Sequence, residues 1–361
     1  MRTALLMLTL AACSAPVEPT AALDPGLTAQ LQDAVDAGRI AAGAPGTVVS
    51  VYVPGVGAWV GTSGWEDKEN DVHAGPWGRY RIASITKTFT ASVILELQAE
   101  GKLDLDETVA DFLPQAPYGD RITLRMLLSH TSGLDDYVDQ LGFLGQPTKA
   151  WAPWELIALV ADKPLLFEPG TGYSYSNAGY ILLGLVIEAI TEQPWESEVH
   201  ERLIDPWRLL DVSTPTSQPG TDTDVVGYIG GNPATDVYTP YGAWSAGEMV
   251  SDANDLTEWA TYLYGGQVLP QTQLEEMTTG TMLASGNRIH YGLGCELRTL
   301  DGRQTVGHSG STVGFETTVR YDVLSGVAVS VLTNDFNADA SAVDDAVWQV
   351  LVDQQVFDLV P

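Results

Sequence analysis

Ser84-Ile85-Thr86-Lys87 is the one S-x-x-K in the chain, and its two polar side chains could work together. A separation of three residues puts them on the same face of a helix. A serine at a helix N-terminus also lies beside free backbone N–H groups and the positive end of the dipole, which favour an anionic transition state. A lysine kept from water holds its proton less tightly, so its neutral amine can take the hydroxyl proton and make the serine a nucleophile. Lysine is scarce, with five in 361 residues, so a lysine inside such a motif carries more weight. Alone, the tetrapeptide also suits a capping serine followed by a surface lysine, and partners elsewhere in the chain must decide.

Two further motifs offer such partners. Tyr175-Ser176-Asn177 is the one Y-x-N, and it opens a helix behind the loop Pro169-Gly170-Thr171-Gly172. A tyrosine there could relay a proton to a leaving group while Asn177 holds a substrate amide; the alternative is a core tyrosine followed by a capping residue. His308-Ser309-Gly310 is less specific, because His73-Ala74-Gly75 and His290-Tyr291-Gly292 share its H-x-G pattern. Context separates them: His308 sits on an expected strand whose next segment returns antiparallel, where Gly310 would let a substrate backbone approach. His73 falls in a loop before Ser84, and His290 leads into a strand.

Rival chemistries fail on residue identity. Gly307-His308-Ser309-Gly310-Ser311 nearly matches the G-x-S-x-G nucleophile elbow, but Ser311 stands where glycine is needed and no histidine follows His308. His200-Glu201 is not completed to H-E-x-x-H, since position 204 is Ile204. No Cys/His cluster has ligand spacing and no phosphate-binding glycine loop follows a strand, so no metal or cofactor is expected.

The elements that must position these residues follow from periodicity. Leu27 to Ala42 has helical spacing, broken by Gly43 and Pro45. Thr47 to Val53 and Ala58 to Trp65 are β-branched runs about Pro54-Gly55-Val56-Gly57 and predict a hairpin. Ser84 to Gln98 predicts the strongest helix, with Phe89, Val93, Ile94 and Leu97 burying one face and Gly101 ending it. Trp154 to Val160, Asn177 to Ile190 and Trp195 to Ile204 are also helical, and Ser251-Asp252 caps a helix through Leu263. Gln304 to Gly310, Phe315 to Asp322 and Val327 to Thr333 are strands joined by glycine-containing turns, hence antiparallel, and Ala340 to Phe357 closes the chain as a helix. This order predicts an α/β fold with an antiparallel sheet flanked by helices. It is built from both chain ends, about 26–102 and 220–361, with a mainly helical insertion at about 103–219.

The chain ends and overall charge narrow the setting. Arg2 precedes an apolar run from Ala4 to Ala12, which is too short to span a bilayer permanently and predicts a signal peptide over 1–12. Leu10-Ala11-Ala12-Cys13 is similar to a bacterial lipobox, so Cys13 is the expected lipidation site, with 13–25 as a flexible tether in an exported chain at the cell envelope. A plain signal peptide cut near Ala15 or Ala22 is the alternative. The other cysteine, Cys295, is expected as a buried structural thiol, and no disulfide can form once Cys13 is lipidated or removed. With 47 acidic and 17 basic residues the net charge is −30, which excludes nucleic acid and a polybasic lipid contact; membrane attachment would run through Cys13 alone.

Together and in this order, the three motifs resemble the penicillin-recognising serine hydrolases, in the branch of class C β-lactamases, D-alanyl-D-alanine carboxypeptidases and related esterases. Tyr80-Arg81-Ile82-Ala83, Leu127-Leu128-Ser129-His130-Thr131-Ser132-Gly133-Leu134 and Tyr291-Gly292-Leu293-Gly294 extend the resemblance from about Leu27 to the end. It implies the β-lactamase/transpeptidase-like fold, with Ser84 as the acylated nucleophile, Lys87 lowering its pKa, and Tyr175 as general base and then proton donor. It also implies that Asn177 and His308 orient substrate, that the N–H groups of Ser84 and Ser311 form the oxyanion hole, and that His130 supports a turn. Histidine replaces the usual class C lysine at 308 and is mostly neutral at pH 7. The expected activity is therefore hydrolysis of small esters, amides or D-amino-acid peptides, ahead of a peptidoglycan D-alanyl-D-alanine carboxypeptidase and then an efficient β-lactamase. A non-catalytic cell-wall binder of the same fold is the contrasting reading.

Overall fold

Every second residue of Gly46–Val53 faces the opposite side of a sheet, and both sides are apolar: Val49, Val51 and Val53 enter one core and Val48 the other. A strand covered on both faces belongs at the centre of a sheet, and this one does. The computed structural model describes residues 22–214, 223–237 and 242–360. The expected signal segment 1–12, Cys13 and the tether as far as residue 21 lie outside the described residues.

The strands are β1 (Gly46–Val53), β2 (Gly57–Asp67), β3 (Val72–His73), β4 (Glu296–Leu300), β5 (Arg303–Thr312), β6 (Phe315–Asp322) and β7 (Ala328–Thr333). They form a seven-stranded sheet in the order β3-β2-β1-β7-β6-β5-β4, each neighbouring pair antiparallel. The register Thr47↔Thr333 to Tyr52↔Ala328 zips the N-terminal hairpin onto the C-terminal strands. The sheet is thus built from both ends of the chain, as the segment order predicts. The strand expected to follow His290 begins only at Glu296, as β4, whose Glu296 and Arg298 break an apolar pattern.

Five helices frame the sheet: α1 (Pro25–Ala42), α2 (Thr86–Ala99), α3 (Asn177–Thr191), α4 (Ala253–Tyr264) and α5 (Ala340–Asp353). Helices α1 and α5 pack Leu31, Val35, Val343, Val347 and Trp348 onto one face of the sheet. Helix α4 covers the other face, α2 packs against α4 through Phe89 and Trp259, and α3 packs on α2. The tether is shorter than expected, because Leu23 is buried, Ala22 bridges Ala58 and Asp24 caps α1. Gly43 ends α1 at φ 73°, a conformation that favours glycine.

Helix α2 departs most from its amphipathic pattern. It is buried on every side, including Thr88, Thr90 and Ser92. Their hydroxyls find partners without water: Thr88 donates to the Ile85 carbonyl and accepts the Trp259 indole N–H, while Thr90 donates to the Ser245 carbonyl and accepts the Trp195 indole N–H. Phe89 stacks on Trp259 with ring centroids 4.0 Å apart. A polar helix face can be buried when each hydroxyl is satisfied, which periodicity cannot show.

Beneath β5 the sheet encloses charge. Arg320 Nε donates to Asp344 Oδ2 at 2.5 Å, and Arg320 Nη1 lies 4.0 Å from Glu296 Oε2. Arg320 and Asp344 are fully buried, so each depends on the other for compensation. We expect Arg320→Met to lower the unfolding free energy by about 3–5 kcal/mol. Arg320→Met/Asp344→Leu should recover most of that loss, and urea unfolding of both variants checks it.

Candidate active site

Backbone hydrogen bonds build the turn that carries Ser84. Tyr80–Arg81 pairs with Val250–Ser251, and the Ile82 N–H donates to the Met249 carbonyl at 2.9 Å. The chain then turns through Ala83 at φ 48°, a left-handed conformation uncommon for alanine and often kept at functional turns. Ser84 follows within the 3-10 turn Ala83–Ile85, immediately before α2, so it precedes the α-helix rather than opening it. This turn packs against β5. There Gly310 has a structural task. A Cβ at 310 would meet the Ile82 carbonyl at 2.2 Å and Thr317 Oγ1 at 2.5 Å, so the missing side chain admits the protein's own turn. Ser311 lies one residue further along β5, and its hydroxyl donates to Glu316.

Lys87 is the centre of the site. It is the second residue of α2 and fully buried, and its Nζ contacts Asn177 Oδ1 at 2.7 Å, the Ala246 carbonyl at 2.6 Å and Ser84 Oγ at 3.1 Å. Burial pulls its pKa down to about 7, against the opposing charge of Asp136. The identity of the partners then fixes the proton geometry. Asn177 Oδ1 and the Ala246 carbonyl can only accept, so a neutral amine spends its two N–H bonds on them. Its lone pair is left for Ser84, the one partner of the three with a proton to give.

Tyr175 lies over this amine, with the Lys87 Nζ 4.9 Å from its ring centroid. Burial raises the phenol well above its usual pKa, with the neighbouring Ser84 hydroxyl acting the other way. Among the described residues its Oη has no partner in hydrogen-bond geometry, although Ser84 is adjacent. Asn177 is the first residue of α3 and is tied down by Asp136, whose Oδ2 accepts the Asn177 backbone N–H at 3.1 Å and its side-chain Nδ2 at 2.9 Å.

A second set of buried groups stands behind Tyr175. The Ser176 N–H donates to His130 Nδ1 at 3.2 Å, which assigns the His130 proton to Nε2, 3.2 Å from the Tyr291 hydroxyl. That hydroxyl, 2.8 Å from His308 Nε2, donates onward, and His308 Nδ1–H faces its neighbouring Ser309 carbonyl at 2.5 Å. Each donor meets an acceptor with both imidazoles neutral. Burial lowers the pKa of His308 to about 4 and that of His130 well below its usual value. Both ring nitrogens of His308 are therefore engaged inside the protein. His130 does occupy a turn, at φ 58°, and its ring also packs 4.1 Å from that of Tyr175.

The fold thus gathers Ser84, Lys87, Tyr175, Asn177 and His308 into one cluster, with Gly310 and Ser311 on the strand beside it. His73 stacks on Trp65 at an exposed edge and His290 is exposed. Cys295 is buried, its thiol donating to the Met277 carbonyl at 3.1 Å and pushed up to about 12 by burial, as suits a structural residue. Sequence reasoning did not single out Asp136, the Tyr291 hydroxyl or the Ala246 carbonyl. Tyr291 and Asp136 stand in or just after stretches that carry the family resemblance, but their partners are distant in sequence.

This fold and this cluster define a β-lactamase/transpeptidase-like protein of the penicillin-recognising serine hydrolase superfamily. The family profile described as Beta-lactamase matches residues 31–354, and the chain belongs to that family. A D-stereospecific amidohydrolase from Streptomyces sp. is similar in structure, with TM-score 0.77 and 32% identity, covering 88% of this chain and 97% of that one. The D-amino acid amidase from Ochrobactrum anthropi SV3 aligns with TM-score 0.82 and 26% identity over 91% of this chain and 99% of that one. Penicillin-binding protein 4* of Bacillus subtilis is 28% identical over 269 residues, 67% of this chain. The chain spans 58% of that relative's length and 56% of that of the putative penicillin-binding protein PbpX.

Burial of neutral His308 has a measurable consequence. Its folded pKa of about 4 lies below the unfolded value, so between the two the unfolded chain binds more protons and stability from this group is lost as pH falls. Glu96, Asp252, Asp255 and Glu316, whose carboxyl pKa values are raised mainly by burial, act with the opposite sign, so the comparison must be with a variant. The stability gap between wild type and His308→Gln should shrink by about 2 kcal/mol from pH 7 to pH 5, measured by urea unfolding at each pH.

Proposed function

We propose that the protein hydrolyses small amides and esters through an acyl-enzyme on Ser84, with D-amino-acid amides and D-amino-acid peptides blocked at the C-terminus as its preferred substrates. The observation that carries this reading is the Lys87 amine, buried among two obligate acceptors and the Ser84 hydroxyl. Lys87 takes the hydroxyl proton as Ser84 Oγ attacks the carbonyl carbon. Tyr175, held protonated by burial, gives its phenolic proton to the departing amine or alcohol, and Lys87 returns a proton to the phenolate. The family resemblance implies Tyr175 as the first base; its raised pKa favours the donor role at neutral pH. Water then attacks the acyl carbonyl, its proton passing to the amine, and Ser84 regains a proton as the acid leaves.

The substrate preference rests on charge and on similarity. His308, buried and neutral, supplies no cation to hold a substrate carboxylate, which disfavours a carboxypeptidase or an efficient β-lactamase. The similar structures named for D-amino-acid amide and D-stereospecific amide hydrolysis agree with an uncharged leaving group. We also propose that Cys13 is lipidated and holds the enzyme at the cell envelope.

Ammonia release from D- and L-amino-acid amides, and nitrophenol release from a nitrophenyl ester, test the reading. Wild type should turn over the ester and prefer the D-amide, and Ser84→Ala should lose activity by at least about 10³-fold. The amine must be neutral to act, so kcat/KM should rise with pH through about 7 and level off above it. Absence of a covalent adduct with a fluorophosphonate at Ser84 would overturn the proposal.

A further inference from the structure

Asn177 has an ambiguous side chain: its amide can present either the oxygen or the NH₂ group to Lys87, and only the oxygen accepts. Asp136 removes the ambiguity. Its Oδ2 takes both the Asn177 backbone N–H and the Nδ2 group, at 3.1 and 2.9 Å, which leaves Oδ1 facing Lys87 Nζ at 2.7 Å. The other carboxylate oxygen accepts the Val138 N–H at 3.3 Å, so the carboxylate is held by its own loop. Asp136 is itself buried, and no other role in the site uses it.

We propose that Asp136 is a positioning residue of this site, whose carboxylate fixes the Asn177 amide and through it directs the lone pair of the Lys87 amine at Ser84. This inference rests on the acyl-enzyme reading for its catalytic meaning, but the coupling of Asp136 to Lys87 stands on geometry alone. Among the described residues, the other titratable groups around the amine are the Tyr175 and Tyr180 rings, from the segment before α3 and from α3, and the imidazoles of His130 and His308. The hydrogen-bonded set leaves both imidazoles neutral and burial keeps both phenols protonated, so the negative charge acting on the amine is that of Asp136, whose own pKa burial raises while the N–H groups of Asn177 and Val138 and the Lys87 charge favour the carboxylate. That charge favours the ammonium form, so it also sets the pH at which Lys87 becomes a base.

The test uses the full-length protein labelled with ¹³C at lysine Cε. Five lysines give a resolvable spectrum in which Lys87 is assigned from a Lys87→Met variant. In Asp136→Asn an oxygen can still hold Asn177 but the charge is gone. The Lys87 midpoint should fall by roughly one pH unit, and the acidic limb of fluorophosphonate labelling should fall with it. The plateau rate should stay close to wild type. In Asp136→Ala the amide is released, and the plateau rate should drop by about tenfold or more. An unchanged Lys87 midpoint in Asp136→Asn overturns the proposal, as does an unchanged plateau in a folded Asp136→Ala. Failure of the wild type to react with the probe would instead overturn the acyl-enzyme reading, while the titration still decides the role of Asp136.

Discussion

The desolvation of one amine organises this molecule. A lysine in water holds its proton at pH 7 and cannot act as a base, whereas the Lys87 amine is packed where its charged form is costly. Keeping it there requires a helix buried on all sides, and α2 meets that requirement by satisfying its hydroxyls with the indoles of Trp195 and Trp259 and with backbone carbonyls. It also requires acceptors for the amine's two N–H bonds, which come from Asn177 and Ala246, distant in sequence. The central position of α2, the tying of Tyr80–Arg81 to Val250–Ser251 and the placement of α3 can each be read as conditions for that one buried group.

The sheet supplies the rigid side of the site. By inserting β1 between β2 and β7, the two chain ends form one surface whose strand β5 runs against the Ser84 turn. The approach is close enough that glycine is needed at 310, and Thr317 Oγ1 donates to the Ile82 carbonyl across the contact at 3.2 Å. On the far face of β5, Glu296 accepts hydrogen bonds from Ser309, and its carboxyl is held down to about 2 by His308, which is charged at that pH, by Ser309 and by two arginines despite burial. Strand, turn and the layer beneath are thus joined by polar contacts in a dry interior, where such contacts are worth more than at the surface.

Local chemistry was legible in the sequence, and chemistry assembled across distance was not. Ser84 with Lys87, and Tyr175 with Asn177, lie within three residues of each other, so spacing could find them. The hairpin, the three C-terminal strands and the capped α4 also rest on short-range signals. Asp136 acts on Asn177 across 41 residues, and Tyr291 joins two histidines from separate segments. No periodicity encodes such pairings. The full burial of α2 is not legible because amphipathicity assumes that polar faces are wet, and the packing of the Ile82 turn on Gly310 is not legible because it joins segments far apart in sequence.

The network around His308 also bears on what the site can recognise. A lysine at this position would bring a fixed charge and three donors; a buried imidazole whose two nitrogens serve Tyr291 and Ser309 brings neither. Charging it would put a second cation in the cluster that holds Lys87, whose charge already lowers the affinity of His308 for protons. A histidine therefore lets the site keep Lys87 near neutrality and the surrounding hydrogen bonds consistent, at the expense of an anchor for anionic substrates. On the proposed function, the burial that keeps Lys87 near neutrality also leaves a substrate carboxylate without a cation at 308, in keeping with amides and esters that have an uncharged leaving side.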